Sequence, residues 1–348
     1  MAENQRPLRV GVVGTGAFGR NHARVYRDLA AEASLNVQFA GIVDADKSRA
    51  HSIATDFDTR AFASIADLVA AGVDAVSVVV PTVAHLAVAG ELIQAGVDVL
   101  IEKPLAATLS EADELLALAK THNRIVQVGH LERFNPAVRA TLPLLTKPMF
   151  FEVHRLSVFT PRSLDVDVVL DLMIHDIDIV LTLVNSPMKE VRAVGLPILS
   201  KKVDIANVRL EFESGCVANF TASRVSTERV RKLRFFQPRQ YVALDFSRQD
   251  VLVLTVDQNA STVDDPFNPA AAVSSALPGI IPFKPKVEPV EPLRAELLSF
   301  LNAVRTCSTP GVSLAQGRAA LAVALQIVKT IGEHSHRAHL DELTSGVS

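Results

Sequence analysis

Leu8-Arg9-Val10-Gly11-Val12-Val13-Gly14-Thr15-Gly16-Ala17-Phe18-Gly19 is the stretch that decides the fold. Leu8 to Val13 reads as a buried parallel strand, Gly19 to Ala31 as the helix after it, and the turn between them has the spacing G-x-G-x-x-G. In that setting the first glycine permits the tight turn and the second lets the backbone approach a pyrophosphate. The third allows helix and strand to pack closely at the positive end of the helix. A second strand, Val37 to Val43, ends in Asp44, a little beyond the roughly 20-residue spacing at which an acid holds an adenosine ribose. Gly14, Gly16, Ala17, Phe18 and Gly19 are therefore expected at a dinucleotide, with Asp44 at its ribose. The carboxylate favours NAD over NADP, since it accepts from a ribose hydroxyl and repels a 2′-phosphate. Asp46 and Lys47 follow directly, so the preference is open to leakage.

Outward from this stretch, strand-like and helix-like patterns alternate as far as Val128. Ala75 to Val80, Val97 to Ile101 and Ile125 to Val128 are β-branched runs, and Val83 to Ala95 and Glu111 to Thr121 are helical patterns. This βαβ order predicts an α/β protein with an N-terminal Rossmann domain, a doubly wound parallel sheet, over residues 1–128. After Pro136 a long helix, Val166 to Leu183, precedes six strand candidates. They are Val191 to Ile198, Val203 to Phe212, Cys216 to Ser223, Arg229 to Phe236, Tyr241 to Phe246 and Val251 to Val256. These predict a C-terminal α+β domain over residues 129–335, built on a mainly antiparallel, open-faced sheet. Asp257 to Pro285 reads as a loop or lid, Leu293 to Val304 and Leu314 to Ile331 as helices, and residues 336–348 as a tail.

Composition narrows the class. A chain of 348 residues exceeds the about 250–300 at which single cores stop growing. Its 35 Lys and Arg against 38 Asp and Glu leave a net charge of −3, which argues against nucleic acid held by bulk charge. The 2 cysteines, Cys216 and Cys307, form neither a metal motif nor a disulfide framework. The N-terminus lacks an apolar signal core, and no uninterrupted run of about 18 apolar residues occurs. A soluble, cytoplasmic protein with no metal and no membrane insertion is expected.

Two constellations carry chemistry. Glu102-Lys103-Pro104 closes the strand Val97 to Ile101, and ligands in open α/β sheets settle outside the carboxyl ends of strands. On the long helix, Asp171, His175 and Asp178 share one stripe at about 100° per residue, in a helix otherwise apolar nearly all round. The competing reading is an acid–histidine pair that satisfies itself against the sheet. Oxidising a secondary alcohol needs a hydride acceptor, a base and positive charge near the developing oxyanion. His175 oriented by Asp171 suits the base, and Lys103 the oxyanion; a desolvated Lys103 suits the base equally well.

These motifs together resemble the Gfo/Idh/MocA family of oxidoreductases, over Leu8 to about Ile331. The resemblance rests on GTGAFG, on Pro81-Thr82 with His85, on Glu102-Lys103-Pro104, and on Asp171, His175 and Asp178. It implies that Lys103 and His175 flank the reacting carbon with Asp171 assisting, and that Pro81, Thr82, His85 and Glu102 lie on the cofactor side. Met173 stands where the family often has glycine, which implies a narrower cleft. Gly129-His130-Leu131-Glu132-Arg133-Phe134-Asn135-Pro136 and the segment from His154-Arg155 to Asp165-Val166-Asp167 resemble more narrowly the members that oxidise nucleotide-linked amino sugars.

The implied substrate is the 3-hydroxyl of UDP-N-acetylglucosamine, on the 2,3-diaminoglucose lipid A route, giving the 3-keto sugar. A downstream aminotransferase is a candidate partner. Arg133, Asn135, Arg155, Arg162 and Asp178 are the candidate substrate residues, because a diphosphate suits guanidinium forks. The alternative for each arginine is a structural ion pair. The alternative functions are a dehydrogenase of a free sugar, an inositol or another nucleotide sugar, and a cofactor-bound sensor or repressor. The open face of the sheet predicts a homodimer or homotetramer.

Overall fold

The computed structural model describes residues 6–160, 166–256 and 279–339. The chain divides into two compact units, Met1–Phe134 with Val290–Val323, and Asn135–Pro289 with Ala324–Ser348. The first boundary falls six residues after the expected one. The segment Val290–Val323, expected with the second domain, groups with the first.

In the first unit, strands β1 (Leu8–Val13), β2 (Val37–Val43), β3 (Ala75–Val78), β4 (Asp98–Glu102) and β5 (Val126–Gly129) form a parallel sheet in the order β2-β1-β3-β4-β5. A lone parallel bridge between Ile42 and Ala61 extends it beyond β2. The order reverses between β1 and β3, which places the ligand crevice of such a sheet at their carboxyl ends. Helices α1 (Ala17–Ala30), α2 (Lys47–Asp56), α3 (Ile65–Ala70), α4 (His85–Gln94) and α5 (Leu109–Thr121) link the strands. Their starts are written locally. Asp46 accepts from Arg49 N to cap α2, and Thr108 and Glu111 form a reciprocal capping box on α5.

Val10, Tyr26, Leu29 and Ile42 form one buried cluster with Leu293, Leu297, Phe300 and Leu301, which belong to α8 (Pro292–Thr306). Gln127, fully buried in β5, donates to Glu296 O at 3.2 Å and accepts from Gly311 N at 3.1 Å, tying β5 to the returning segment at two points.

In the second unit, β6 (Phe150–Val158), β7 (Met188–Leu196), β8 (Ile205–Phe212), β9 (Val217–Ser226), β10 (Val230–Gln237), β11 (Gln240–Asp245), β12 (Asp250–Val256) and β13 (Ile280–Phe283) form one sheet. Its order is β13-β12-β11-β10-β6-β9-β8-β7, with only the β6–β9 pair parallel. One face is apolar and buried through Phe151, Val153, Val208, Leu210, Phe220, Leu233, Phe235 and Val242. The short helix α6 (Pro136–Thr141) contacts β11 and β12.

The long helix is in two parts, a π-helical turn over Val169–Met173 and α7 (Ile174–Val184). The last helix, α9 (Leu314–Arg337), begins in the first unit and ends in the second. Ile280–Phe283, expected inside a loop or lid, is an edge strand paired with β12, while 257–278 lie outside the described residues, as do 340–348 of the expected tail. Among the described residues no helix is long and apolar enough to cross a membrane.

Candidate active site

The glycine turn is built as the sequence spacing requires. Gly14 has φ +90°, and a Cβ there would meet Val79 O at 2.4 Å. A Cβ at Gly19 would lie 1.9 Å from Gly14 O, so any other residue would force helix α1 away from β1. Around Gly16 the space is open, with nothing within 4 Å of where a Cβ would stand, and α1 begins there with no side-chain cap. Backbone N–H groups at a helix start without a cap, with open space before them, fit the pyrophosphate of a dinucleotide.

Asp44 follows β2 and is 4 % exposed. Its Oδ2 accepts from Thr15 N at 2.6 Å, Thr15 Oγ1 at 2.7 Å and Arg49 Nε at 3.2 Å; its Oδ1 accepts from Asp46 N at 2.8 Å and Arg49 Nη2 at 2.7 Å. Burial pushes the carboxyl upward, but hydrogen bonds from Arg49, Thr15 and Asp46 outweigh it and hold Asp44 well below the usual carboxylate range.

Lys103 stands where β4 ends, and its peptide bond to Pro104 is cis. The main chain there is fixed from both sides. Glu102, buried, accepts from Lys103 N at 3.2 Å through Oε2 and lies 3.1 Å from Nε2 of the fully buried His22 through Oε1. Gly129, at the end of β5, makes room for that carboxylate, since a Cβ there would sit 2.7 Å from Glu102 Oε1. Beyond the proline, His85 Nδ1 lies 3.0 Å from Pro104 O and 3.2 Å from Leu105 O, and Nε2 lies 3.0 Å from Val80 O. Burial pushes the His85 pKa down, against the pull of the three carbonyls. His85, expected on the cofactor side, is 1 % exposed and within hydrogen-bond reach of main-chain carbonyls at both ring nitrogens. Pro81 and Thr82 open the short turn that leads into α4.

In the second unit, Asp171 lies in the π turn and His175 in the first turn of α7; both are part-exposed on a helix whose Val169, Met173, Ile174, Ile177 and Val180 are buried. Because the turn over Val169–Met173 holds more residues than an α-turn, the regular stripe of about 100° per residue does not run through Asp171. Turns of this kind recur at functional sites. Asp178 is 1 % exposed, so the end of the expected stripe lies in the core. Met173 is fully buried too, packed in the interior rather than lining open space.

Arg155 enters from β6 and forms two hydrogen bonds to Asp176 on α7, Nε to Oδ2 and Nη2 to Oδ1, each 2.7 Å, with side-chain exposures of 4 % and 2 %. Its guanidinium also lies 5.3 Å from the Phe246 ring centroid. Arg155, a candidate for the diphosphate, is thus engaged in a buried ion pair with Asp176. Asn135 is likewise a local strut: it caps α6 by accepting from Ala137 N at 3.1 Å and donates to Phe246 O at 3.0 Å. Arg133 is part-exposed in the turn Leu131–Phe134, and Arg162 lies outside the described residues.

Comparison with known proteins follows the same division. Residues 8–130 match the model of an oxidoreductase family with an NAD-binding Rossmann fold, and residues 150–239 match the Gfo/Idh/MocA C-terminal domain. A UDP-N-acetylglucosamine 3-dehydrogenase from Acidithiobacillus ferrooxidans is 36 % identical over 92 % of this chain and 96 % of its own. The chain belongs to the Gfo/Idh/MocA oxidoreductase family.

A solved structure of the Acidithiobacillus ferrooxidans protein superposes with a TM-score of 0.83, covering 94 % of this chain and 98 % of that one. Inositol 2-dehydrogenase from Acidothermus cellulolyticus is 32 % identical over 54 % of this chain and 57 % of its own. Levoglucosan dehydrogenase in complex with NADH and levoglucosan, at 18 % identity and a TM-score of 0.79, shares the fold. As a Gfo/Idh/MocA protein this chain is an oxidoreductase with an NAD(P)-binding Rossmann domain. Two residues of the site escaped the sequence reading. His22, three residues after Gly19, and Arg49, five after Asp44, declare themselves only through their partners, Glu102 and Asp44.

Proposed function

We propose that the chain oxidises the 3-hydroxyl of UDP-N-acetylglucosamine to the 3-keto sugar with NAD. The observation that carries this is the similarity to the Acidithiobacillus ferrooxidans 3-dehydrogenase along nearly the full length of both chains. In this reading the charged groups of the reaction are Lys103, at the end of a Rossmann strand, and Asp171 and His175, on the helix that follows β6 in the second unit. In this reading the first unit binds the cofactor, with Gly14 to Gly19 at the pyrophosphate and Asp44 at the ribose, and NAD is preferred to NADP.

Bound NAD supplies the hydride acceptor. The sugar carbon gives up its hydrogen as hydride, and its hydroxyl proton passes to one of Lys103 and His175. The cationic member of the pair stabilises the oxyanion as it forms. Asp171 favours the protonated state of His175 after transfer. Glu102 and His85 keep the main chain around Lys103 in place. Arg133, Arg155 and Arg162 are the candidates for the diphosphate.

The protein acts in the cytoplasm as a homo-oligomer joined through the outer sheet face, and its ketone product suits a downstream aminotransferase. The test is a panel of nucleotide sugars, free sugars and inositols with NAD and with NADP, read by reduced-cofactor absorbance and product mass. A coupled aminotransferase consumes the ketone and keeps the product low. Turnover of myo-inositol with none of the nucleotide sugar would move the reading to a polyol dehydrogenase.

A further inference from the structure

Asp44 is saturated. A carboxylate offers about four lone-pair sites, and five donors already converge on this one. Three of them, Thr15 N, Thr15 Oγ1 and Asp46 N, come from the turns that end β1 and β2, and Thr15 is 1 % exposed. The other two come from Arg49, whose side chain is 46 % exposed and whose Nη1 stands 3.7 Å from Asp46 Oδ2. Lys47, the other cation of this turn, donates to Ala63 O. Two ribose hydroxyls therefore find no room on Asp44 until Arg49 leaves. Arg49 is the donor that can swing away, because its side chain is long and half-exposed, whereas the other three donors belong to the turns themselves.

We infer that Arg49 is a cofactor-specificity residue, which competes with the ribose of NAD for Asp44 and supplies the guanidinium that receives the 2′-phosphate of NADP. This rests on the proposed placement of the adenosine ribose at Asp44. Paired, Arg49 cancels the charge that would repel a 2′-phosphate. Swung off Asp44, it presents a planar fork that matches phosphate oxygens. The same motion uncovers the carboxylate for a ribose diol. The residue thus acts with opposite sign on the two cofactors, which a structural strut would not do.

The test is direct binding of NAD and NADP, by calorimetry, to the full-length protein and to Arg49→Leu and Arg49→Lys, with no sugar present. Thermal unfolding of each variant confirms that it is folded. Arg49→Leu is expected to weaken NADP by at least about tenfold, the loss of a charge-assisted contact, and to leave NAD unchanged or a few-fold tighter. Arg49→Lys is expected to keep NADP within a few-fold of wild type, as a point charge remains. Weaker NAD binding in Arg49→Leu would make Arg49 an orienter of Asp44 and overturn the inference. An unchanged ratio of the two affinities, or a wild type that does not bind NADP, would overturn it as well. None of these outcomes depends on which sugar is oxidised, so failure of the proposed substrate would be seen separately.

Discussion

Removing either partner of the Arg155–Asp176 pair should unfold the second unit far more readily, and removing both should not. The two hydrogen bonds are each 2.7 Å and the side chains are 4 % and 2 % exposed, so neither charge has water to fall back on. Arg155→Met leaves a buried carboxylate and Asp176→Leu leaves a buried guanidinium, and breaking such a pair typically costs about 3–5 kcal/mol. Replacing both with apolar residues of similar volume is often neutral or stabilising by about 1–4 kcal/mol. The coupling in a double-mutant cycle should therefore be about 3 kcal/mol or more.

The composition offers a clean probe, since the chain has no Trp and only 2 Tyr. Tyr26 is in the first unit and Tyr241 in the second. In a Tyr26→Phe background, Tyr241 fluorescence in urea reports the second unit alone. Single variants that lose less than about 1 kcal/mol, or effects that simply add, would refute the reasoning. If Arg155 holds the diphosphate instead, Arg155→Met would raise KM for the nucleotide sugar and leave the urea midpoint in place.

Lys103→Ala and His175→Ala should each lower kcat by about 10²–10⁴-fold while NAD affinity changes little; stopped-flow turnover beside calorimetry checks this, and near-normal turnover in both would remove the mechanism. Free N-acetylglucosamine should lose kcat as well as apparent affinity relative to the uridine sugar, because remote binding energy is used for orientation; equal rates would argue against a diphosphate site. Asp44 is held below its ordinary pKa of about 3.9, so the stability it contributes is fully present above that value and is lost as pH falls towards the folded-state pKa. The stability difference between wild type and Asp44→Asn should be flat from about pH 5 to 8 and shrink below about pH 4. Cys307 is exposed, whereas burial pushes the Cys216 thiol up to about 11; one thiol per chain should react quickly with a disulfide reagent and the second only on unfolding.

The Rossmann half was legible because its signals are local. Strands ending in Val13, Val43 and Val78 are rich in β-branched residues, and Gly14 and Gly19 of the turn each answer a contact within a few residues or one strand away. The central strand β6 was missed because Arg155 stands at a buried position and breaks the alternation set by Phe151 and Val153, and only Asp176, 21 residues on, makes a charge there tolerable. Pro282 hid the strand Ile280–Phe283, which pairs by one edge only. Within the site, Lys103, Asp44 and the part-exposed pair Asp171 and His175 stood out as charges at element ends or on an apolar helix. Asp178 stood out for the same reason yet is buried, and the π turn that takes Asp171 off the regular stripe cannot be read from a repeat that assumes regular geometry. The roles of His22 and Arg49 depend on contacts 80 and 5 residues away that no spacing rule marks.

The return of Val290–Val323 to the first unit has a consequence for how the protein is made. When Phe134 has left the ribosome all five strands of the cofactor sheet exist, yet Leu293, Leu297, Phe300 and Leu301, which complete the cluster around Tyr26 and Leu29, have not been synthesised. They follow about 150 residues later, a delay of about 8–30 s at 5–20 residues per second. Through that interval the part of this cluster that α8 completes faces water, a natural site for a chaperone. A fragment ending after β5 carries the complete glycine fingerprint and stays in that unfinished condition permanently, so the cofactor unit is a module in space without being one in sequence.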